Sequence, residues 1–293
     1  MSTLVPWSAA DAARHLQVPT ASSDKYSRGV VGMRSGSASY RGAAVLGVEG
    51  AWRAGAGMVR YVGAAGAEVL ARRPETVLGT GRVQAWVVGS GMSLAELDEV
   101  EHEAIVNLLR GPDPVVVDAG AIALAVDATA PVVVTPHAGE FARLREQLGL
   151  PGVDVSDVAS EVVGTAAALG HVVVRKGAQT VIASADGTSI EVCAGTPWLS
   201  SAGTGDVLAG IIGAVVAADA VRAAADSAHL AALAATGVWI HGTAARVATG
   251  QLDLSRIGAD LAASVGPGHP ITARDVADAV PAVIGALLRM RMV

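Results

Sequence analysis

The sequence predicts an α/β fold in which a mostly parallel central sheet is covered by helices on both faces. Three valine triplets, at residues 115–117, 132–134 and 172–174, are the main observation behind this prediction. Each triplet lacks the polar alternation of a half-exposed strand, so each is expected to be buried on both faces. Segments with apolar residues at helical spacing stand between the predicted strands, as parallel connections require.

The N-terminal half alternates between strands and helices. Ser8 followed by Asp11 is typical of a helix start. The segment 35–43 consists mostly of small residues and follows a buried strand, which indicates the start of a strand–helix–strand unit. The loop itself is either a ligand cradle or simply a tight turn, and taken alone it favours the turn. We predict strands at 28–33, 57–62 and 85–88, and helices at 8–16, 43–56, 67–73 and 95–110.

The C-terminal half continues the pattern and adds one hairpin. The turn signal at 185–187 lies between two short apolar segments and predicts an antiparallel pair. Thr272 and Asp275 are a plausible cap for the last helix. We predict strands at 114–118, 131–135, 171–175, 181–183 and 189–193, and helices after 140, at 158–169, from about 206 to 218, near 220–248 and at 273–288.

Composition limits the class of protein. The 293 residues carry a net charge of −6 with no basic block, which argues against a nucleic-acid-binding surface. Cys193 is the only cysteine, which excludes an internal disulfide framework and a cysteine-based zinc site. The longest apolar stretch, 207–218, is too short for a membrane span, and residues 1–19 lack the apolar centre of a signal peptide. We therefore expect a soluble cytoplasmic protein with residues 1–293 in one domain.

A stretch of small residues ends in a carboxylate at the start of a predicted buried helix. Gly203, Thr204 and Gly205 precede Asp206, so backbone N–H groups can approach a ligand closely. The first N–H groups of a helix have no intrahelical partner and the helix dipole makes that end positive, which favours anions such as phosphate. The stretch alone leaves open a second interpretation, in which Asp206 simply caps the helix.

Polar residues follow the carboxyl ends of five of the first six long strands that the sequence predicts. In open α/β sheets this edge is where ligands bind. Taken singly, Asp118 could cap a helix, Glu140 could complement a helix dipole and His137 could be a surface loop residue. Lys176 is one of only two lysines in the chain. The residues at the predicted edge are Ser37, Tyr40, Ser90, Asp118, His137, Glu140 and Lys176.

Five motifs together carry a family resemblance. They lie at 36–43, 54–57, 135–140, 176–180 and 203–210, and the similarity runs in order from about residue 25 to residue 288. This set resembles the ADP-dependent NAD(P)H-hydrate dehydratases, which are members of the ribokinase-like superfamily. The Thr-Pro-His sequence at 135–137 narrows the resemblance to this branch, because the kinase relatives typically have Asn at the position of His137. The resemblance implies a ribokinase-like three-layer sandwich.

The resemblance also implies a reaction and a set of site residues. The S-epimer of NADHX or NADPHX would lose its ring hydroxyl while ADP is converted to AMP and phosphate. Asp206 would deprotonate the hydroxyl, and amides of the 203–205 segment would stabilise the phosphoryl group. The hydrate site would comprise Ala43, Gly91, His137 and Asp206. The nucleotide site would comprise Lys176, Gly177, Ala178, Gln179, Thr180, Gly203, Thr204 and Gly205. Glu140 corresponds to the magnesium-associated glutamate of the kinases, so Mg²⁺ is expected.

The chain departs from the family pattern in two respects. Gly89-Ser-Gly91 stands where the family often has Gly-Pro-Gly, and we expect no N-terminal epimerase domain, so that a separate epimerase would supply the S-epimer. Apolar helices near the C-terminus suggest a homo-oligomer, most simply a homotetramer. The main alternative is a small-molecule kinase of the same superfamily, acting on an alcohol such as a vitamin precursor. A non-catalytic adenylate sensor would not need the carboxylate that Asp206 supplies.

Overall fold

The fold is built on one ten-stranded sheet, seen in a computed structural model that describes residues 4–256 and 266–291. The strands are β1 (Val5–Pro6), β2 (Val30–Arg34), β3 (Met58–Tyr61), β4 (Val77–Leu78), β5 (Ala85–Val88), β6 (Val115–Val117), β7 (Val132–Val134), β8 (Val172–Arg175), β9 (Thr180–Ala183) and β10 (Ser189–Val192). Their order across the sheet is β1-β10-β9-β8-β7-β6-β5-β2-β3-β4. Neighbouring strands are parallel except that β9 is antiparallel to both β8 and β10, which confirms the predicted hairpin.

Helices cover both faces of the sheet and make the fold three-layered. The helices are α1 (Ala9–Arg14), α2 (Arg41–Arg53), α3 (Gly66–Arg72), α4 (Glu99–Leu109), α5 (Ala138–Gln147), α6 (Val158–Leu169), α7 (Thr204–Ala218), α8 (Ala220–Ala225), α9 (Ser227–Ala248) and α10 (Ala273–Met290). One face packs against α1, α2, α7, α9 and α10, and the other against α4, α5, α6 and the 3₁₀ segment Ala119–Asp127. The predicted α/β three-layer fold is confirmed.

The valine triplets divide their side chains between two cores. Val116 and Val133 point into the core under α7 and α9, whereas Val115 and Val117 point into the core under α4 to α6. All four side chains are fully or almost fully buried. Successive side chains of a strand point to opposite faces, so an unbroken apolar run fits a strand with a core on each side.

Some element boundaries differ from those predicted. β1 and β4 were missed because they are two-residue strands at the two sheet edges, too short to carry a pattern. The helix predicted at 95–110 starts only at Glu99, where Asp98 accepts a hydrogen bond from the Glu101 N–H. The segment 220–248 is divided at Asp226, which accepts from the His229 N–H and so caps α9. Within the described residues, no helix has both the length and the apolarity that crossing a bilayer requires.

Helices α2 and α7 touch through their backbones. A Cβ on Gly210 would overlap the carbonyl oxygen of Gly47, and one on Gly50 would overlap that of Val207. The carbonyl oxygen of Asp206 is 3.5 Å from the position that a Cβ on Gly47 would take. Glycine at positions 50 and 210 therefore allows an approach that no other residue permits, and this approach fixes the first turn of α7 relative to α2.

Candidate active site

Asp118 connects the ends of four neighbouring strands. It follows β6 and is buried, with 3% of its surface exposed. Its Oδ2 accepts a hydrogen bond from the Ser90 hydroxyl after β5 (2.9 Å), and its Oδ1 accepts one from the Thr135 hydroxyl after β7 (2.7 Å). Oδ1 also accepts from Lys176 Nζ after β8 at 2.8 Å. A buried carboxylate requires such partners, and this arrangement places all four residues at one edge of the sheet.

Lys176 lies at the centre of this edge. Its Nζ is 2.8 Å from Asp118 Oδ1 and 3.9 Å from Glu140 Oε2. It is also 3.6 Å from the position that a Cβ on Gly205 would occupy, at the start of α7. The side chain is only 22% exposed. The ammonium is thus held by Asp118 and is directed towards the first turn of α7.

The first turn of α7 places Asp206 inside the helix and not at its cap. Gly203 is the N-cap residue and has a φ of 88°, a left-handed conformation that glycine adopts readily. Asp206 is the third helical residue, so the interpretation of Asp206 as the cap is wrong. The Thr204 hydroxyl lies 2.9 Å from the carbonyl oxygens of Leu199 and Ser201, which holds the preceding loop. The N–H groups of Gly205 and Asp206 belong to the turn that lacks intrahelical acceptors.

The electrostatics of Asp206 suit a proton acceptor. Burial raises the pKa of its carboxyl group to about 6; the Asp118 carboxylate adds to the rise and the Lys176 ammonium opposes it. Within the described residues no side chain or backbone group hydrogen-bonds its carboxylate. A carboxylate with a pKa near neutrality, free to accept a proton, is the usual form of a general base.

His137 is oriented by the helix that it begins. Its Nδ1 accepts hydrogen bonds from the backbone N–H groups of Gly139 (3.0 Å) and Glu140 (3.3 Å), while Glu140 Oε2 accepts from the His137 N–H at 2.8 Å. Because Nδ1 is an acceptor, the ring proton of the neutral form is on Nε2, which is 3.4 Å from Glu140 Oε1. The ring is 57% exposed, so its free edge faces solvent.

A cavity of about 570 Å³ lies beside these residues. Most residues predicted to bind the nucleotide line it together with His137, namely Lys176, Gly177, Ala178, Thr180, Thr204 and Gly205. Gln179, which is exposed, and Gly203, the N-cap residue of α7, are not among the residues that line it. The Thr180 hydroxyl donates to the Gly177 carbonyl oxygen at 3.2 Å, which closes the turn after β8. Six of the residues predicted to bind the nucleotide therefore lie around one cavity in the fold.

Ala43 and Gly91 meet in a second place on the same edge. Gly91 has a φ of 67°, and a Cβ there would overlap the Cβ of Ala43. The Gly36 N–H donates to the Ser90 carbonyl oxygen at 2.7 Å, which joins the loops after β2 and β5. These two predicted hydrate-site residues are neighbours. Ala43 is in the first turn of α2, and Gly47, one turn later, approaches the Asp206 backbone.

Comparison with known proteins identifies the family. A family model described as NAD(P)H-hydrate dehydratase matches residues 31–264. The chain belongs to this family. This membership favours the dehydratase over the kinase alternative.

Individual relatives agree with the family assignment. The chain is 31% identical to the ADP-dependent (S)-NAD(P)H-hydrate dehydratase of Xanthomonas campestris, with 96% of each protein covered. It is 44% identical to the bifunctional NAD(P)H-hydrate repair enzyme of Mycobacterium tuberculosis over 71% of this chain but only 45% of that protein, so it spans less than half of that relative. The ADP/ATP-dependent NAD(P)H-hydrate dehydratase of Bacillus subtilis, crystallised with ATP and Mg²⁺, superposes with a TM-score of 0.77 at 25% identity, covering 97% and 99% of the two chains.

Three residues of this candidate site were missed or undervalued from the sequence. Asp118 and Ser90 were recognised at the edge, but the central role of Asp118 depends on the strand order. His241 was missed altogether, although it lines the cavity from α9 with 6% of its surface exposed. It lies in a long apolar helix, and nothing in its neighbourhood in the sequence indicates which face of that helix meets the cavity.

Proposed function

We propose that this chain converts the S-epimer of NADHX or NADPHX back to NADH or NADPH, with ADP converted to AMP and phosphate. The observation that carries the proposal is Asp206: a partly buried carboxylate with a pKa near 6, in the first turn of α7, beside Lys176 and the cavity. Family membership supports the reaction class. The names of the full-length relatives support the S-epimer and the use of ADP.

The chemistry requires a better leaving group than hydroxide. Asp206 accepts the proton of the ring hydroxyl, whose oxygen then forms a bond to the terminal phosphorus of ADP while the bond from that phosphorus to AMP breaks. The phosphate leaves the ring with the electron pair of the carbon–oxygen bond. A neighbouring ring carbon gives up its proton to the departing phosphate, and the carbon–carbon double bond that forms restores the dihydronicotinamide.

The residues around Asp206 have separate tasks in this proposal. The N–H groups of Gly205 and Asp206, at the positive end of α7, hold oxygens of the phosphoryl group in transfer. Lys176 contacts the same phosphates and is kept in place by Asp118. Ala43, Gly91 and His137 border the hydrate, and the 176–180 turn borders the adenosine phosphate. These roles agree with the geometry described above, in which each group lies at the same edge of the sheet.

Mg²⁺ would be bound jointly by the protein and by the phosphates of the nucleotide. Among residues 4–256 and 266–291 no cluster of three acidic, histidine or cysteine residues forms a metal cage. Magnesium usually needs only one or two carboxylates together with substrate phosphates, and Glu140, 3.9 Å from Lys176 Nζ, supplies one carboxylate. Bound there, Mg²⁺ would neutralise phosphate charge.

We further propose a cytoplasmic homotetramer that works with a separate epimerase.

A single assay tests the reaction. Purified protein is incubated with the S-epimer of NADHX and either ADP or ATP, and the return of the near-ultraviolet absorbance of reduced nicotinamide is followed. One AMP and one phosphate should form for each NADH when ADP is supplied. A phosphorylated product that accumulates without any return of absorbance would instead support the kinase alternative.

A further inference from the structure

A second cavity, also of about 570 Å³, lies at the same edge of the sheet, and the reaction above assigns no ligand to it. It is bounded by the loops that follow β5 and β6 and by one face of α5. We call it the α5 cavity; Met92, Gly120, Glu140 and Arg143 are among the residues that line it. Its size is within the range of small-molecule sites.

Two loops that touch through their backbones form one wall of the α5 cavity. A Cβ on Gly120 would be only 2.3 Å from the carbonyl oxygen of Met92. Ala119 has a φ of 47°, and among the residues that the structure describes it is the one non-glycine residue with a left-handed backbone. Such strained residues cluster at ligand sites. Ala119 directly follows Asp118, so this wall begins at the carboxylate that holds Lys176.

His137 and Glu140 lie between the α5 cavity and the cavity beside α7 that ADP occupies in the proposed function. His137 lines the ADP cavity and Glu140 lines the α5 cavity, with 3.4 Å between His137 Nε2 and Glu140 Oε1. Lys176 Nζ is 3.9 Å from Glu140 Oε2. A substrate whose hydroxyl lies at this boundary can therefore extend into the α5 cavity while ADP fills the other.

The α5 cavity contains a cation without a protein partner. Arg143 is exposed, and within residues 4–256 and 266–291 its guanidinium makes neither an ion pair nor a hydrogen bond. Glu140 lies on the same face of α5, three residues earlier, but its carboxylate accepts from the His137 N–H at 2.8 Å and does not pair with Arg143. An unpaired guanidinium at a cavity is suited to a phosphate, because its planar fork can donate to two oxygens at once.

The guanidinium is directed back along α5 towards the predicted hydrate site. A Cβ on Gly139 would be 3.9 Å from Arg143 Nη1 and 3.1 Å from His137 Cε1, so both groups border the same point. In a hydrated dinucleotide one ribose separates the nicotinamide ring from the diphosphate. The 2′-phosphate of NADPHX lies further away, beyond the diphosphate and on the second ribose. With the ring at His137, the phosphate within reach of Arg143 is the diphosphate.

We propose that the α5 cavity holds the diphosphate of the hydrated dinucleotide and that Arg143 binds this diphosphate. The assignment rests on the proposed function, since it takes NADHX or NADPHX to be the substrate. It adds a residue to the hydrate site that none of the sequence motifs indicated. Because both hydrates contain the diphosphate, Arg143 should contribute equally to the binding of each.

Steady-state kinetics with both hydrates test the assignment. Arg143→Gln should raise the KM for NADHX and for NADPHX by about tenfold each, the effect of losing hydrogen bonds to a charged group at an exposed site. The value of kcat and the KM for ADP should not change, because Arg143 contacts neither the reacting atoms nor the ADP cavity. Arg143→Lys keeps the charge but not the fork and should give an intermediate KM.

Calorimetry with NADH gives a second readout that does not depend on turnover. The product retains the diphosphate, so Arg143→Gln should weaken NADH binding by the same factor of about ten. Arg110→Gln is the matched control, because it removes one exposed arginine from the end of α4 at the opposite edge of the sheet. Both variants should melt at the temperature of the original protein, and Arg110→Gln should keep its KM values and its NADH affinity.

The outcomes separate this assignment from the proposed function. If the original protein dehydrates NADHX while Arg143→Gln has an unchanged KM and NADH affinity, the assignment is overturned and the proposed function stands. A rise in KM for NADPHX alone would point to the 2′-phosphate and would also overturn it, as would equal losses in the Arg143 and Arg110 variants. An original protein that dehydrates neither hydrate would overturn the proposed function, and the assignment would fall with it.

Discussion

Asp206→Asn removes the proposed base without changing the shape of the side chain. Turnover should fall by a factor of about 100 to 10,000, the usual contribution of a positioned general base, while ADP affinity stays close to the original. In the original enzyme kcat/KM should fall as the pH drops below about 6, because the carboxylate must be ionised to accept a proton. Dehydration assays between pH 5 and pH 8, in steps of about half a pH unit, measure both the loss of turnover and the pH dependence of kcat/KM.

The same substitution makes a stability prediction whose sign follows from the pKa. Asp206 has a pKa of about 6 in the folded chain against 3.8 when unfolded, so ionisation opposes folding. The penalty is absent below the unfolded pKa, grows between the two values and is complete above about pH 6. A shift of two units corresponds to about 3 kcal/mol, which partial solvation reduces to about 1–2 kcal/mol. Asp206→Asn should therefore raise the free energy of unfolding by that amount at neutral pH and by much less in acid.

Urea denaturation at several pH values measures this difference. Asp98→Asn is the matched control, because Asp98 is an exposed N-cap at which asparagine is nearly equivalent. That variant should show no pH-dependent gain. The reasoning is refuted if Asp206→Asn dehydrates its substrate at a near-native rate, or if it unfolds more easily than the original at neutral pH.

Three further predictions concern the surroundings of Asp206 and the assembly. Lys176→Met should weaken ADP binding in calorimetry by at least about tenfold, and unchanged ADP affinity would contradict the assignment. The same substitution should move the acidic limb of the pH–rate profile to higher pH, because the ammonium lowers the pKa of Asp206. Gly210→Ala should cost about 1–3 kcal/mol in urea denaturation, since its Cβ would overlap the Gly47 carbonyl oxygen, whereas Gly164→Ala, in open space on α6, should stabilise the fold by about 0.5–1 kcal/mol; equal effects would show that the α2–α7 contact is not tight. The protein should have the mass of a homotetramer in light scattering at micromolar concentration, and a monomeric mass would rule out the predicted assembly.

The sequence predicted the layers of the fold and most of its elements because burial leaves a pattern in the chain. The triplet Val115–Val117 has a core on each face, and no polar alternation is compatible with that. The edge strands Val5–Pro6 and Val77–Leu78 could not be predicted from the sequence, because two residues carry no periodicity. The prediction of one domain over residues 1–293 stays a prediction.

The candidate site was predicted as far as local motifs extend. The turn after β8 and the first turn of α7 are continuous segments, and the fold brings them to one cavity. The hydrogen bonds that Asp118 accepts depend on which strands are neighbours, and no single motif indicates the strand order. One interpretation placed Asp206 at the N-cap of α7, three positions from its actual place in the helix, because it took no account of the left-handed backbone of Gly203, which is the N-cap residue.

The backbone contact between α2 and α7 has a consequence for changing the substrate range of such an enzyme. Side chains at an ordinary helix interface can exchange rotamers and make room, but Gly47, Gly50 and Gly210 have none to exchange. The first turn of α7 is therefore a fixed reference point, and a larger substrate cannot be accommodated by moving it. Libraries directed at the loops that follow β2 and precede α7, at residues 35–40 and 196–202, should yield altered specificities, while libraries directed at the glycine contact should yield mostly unfolded chains.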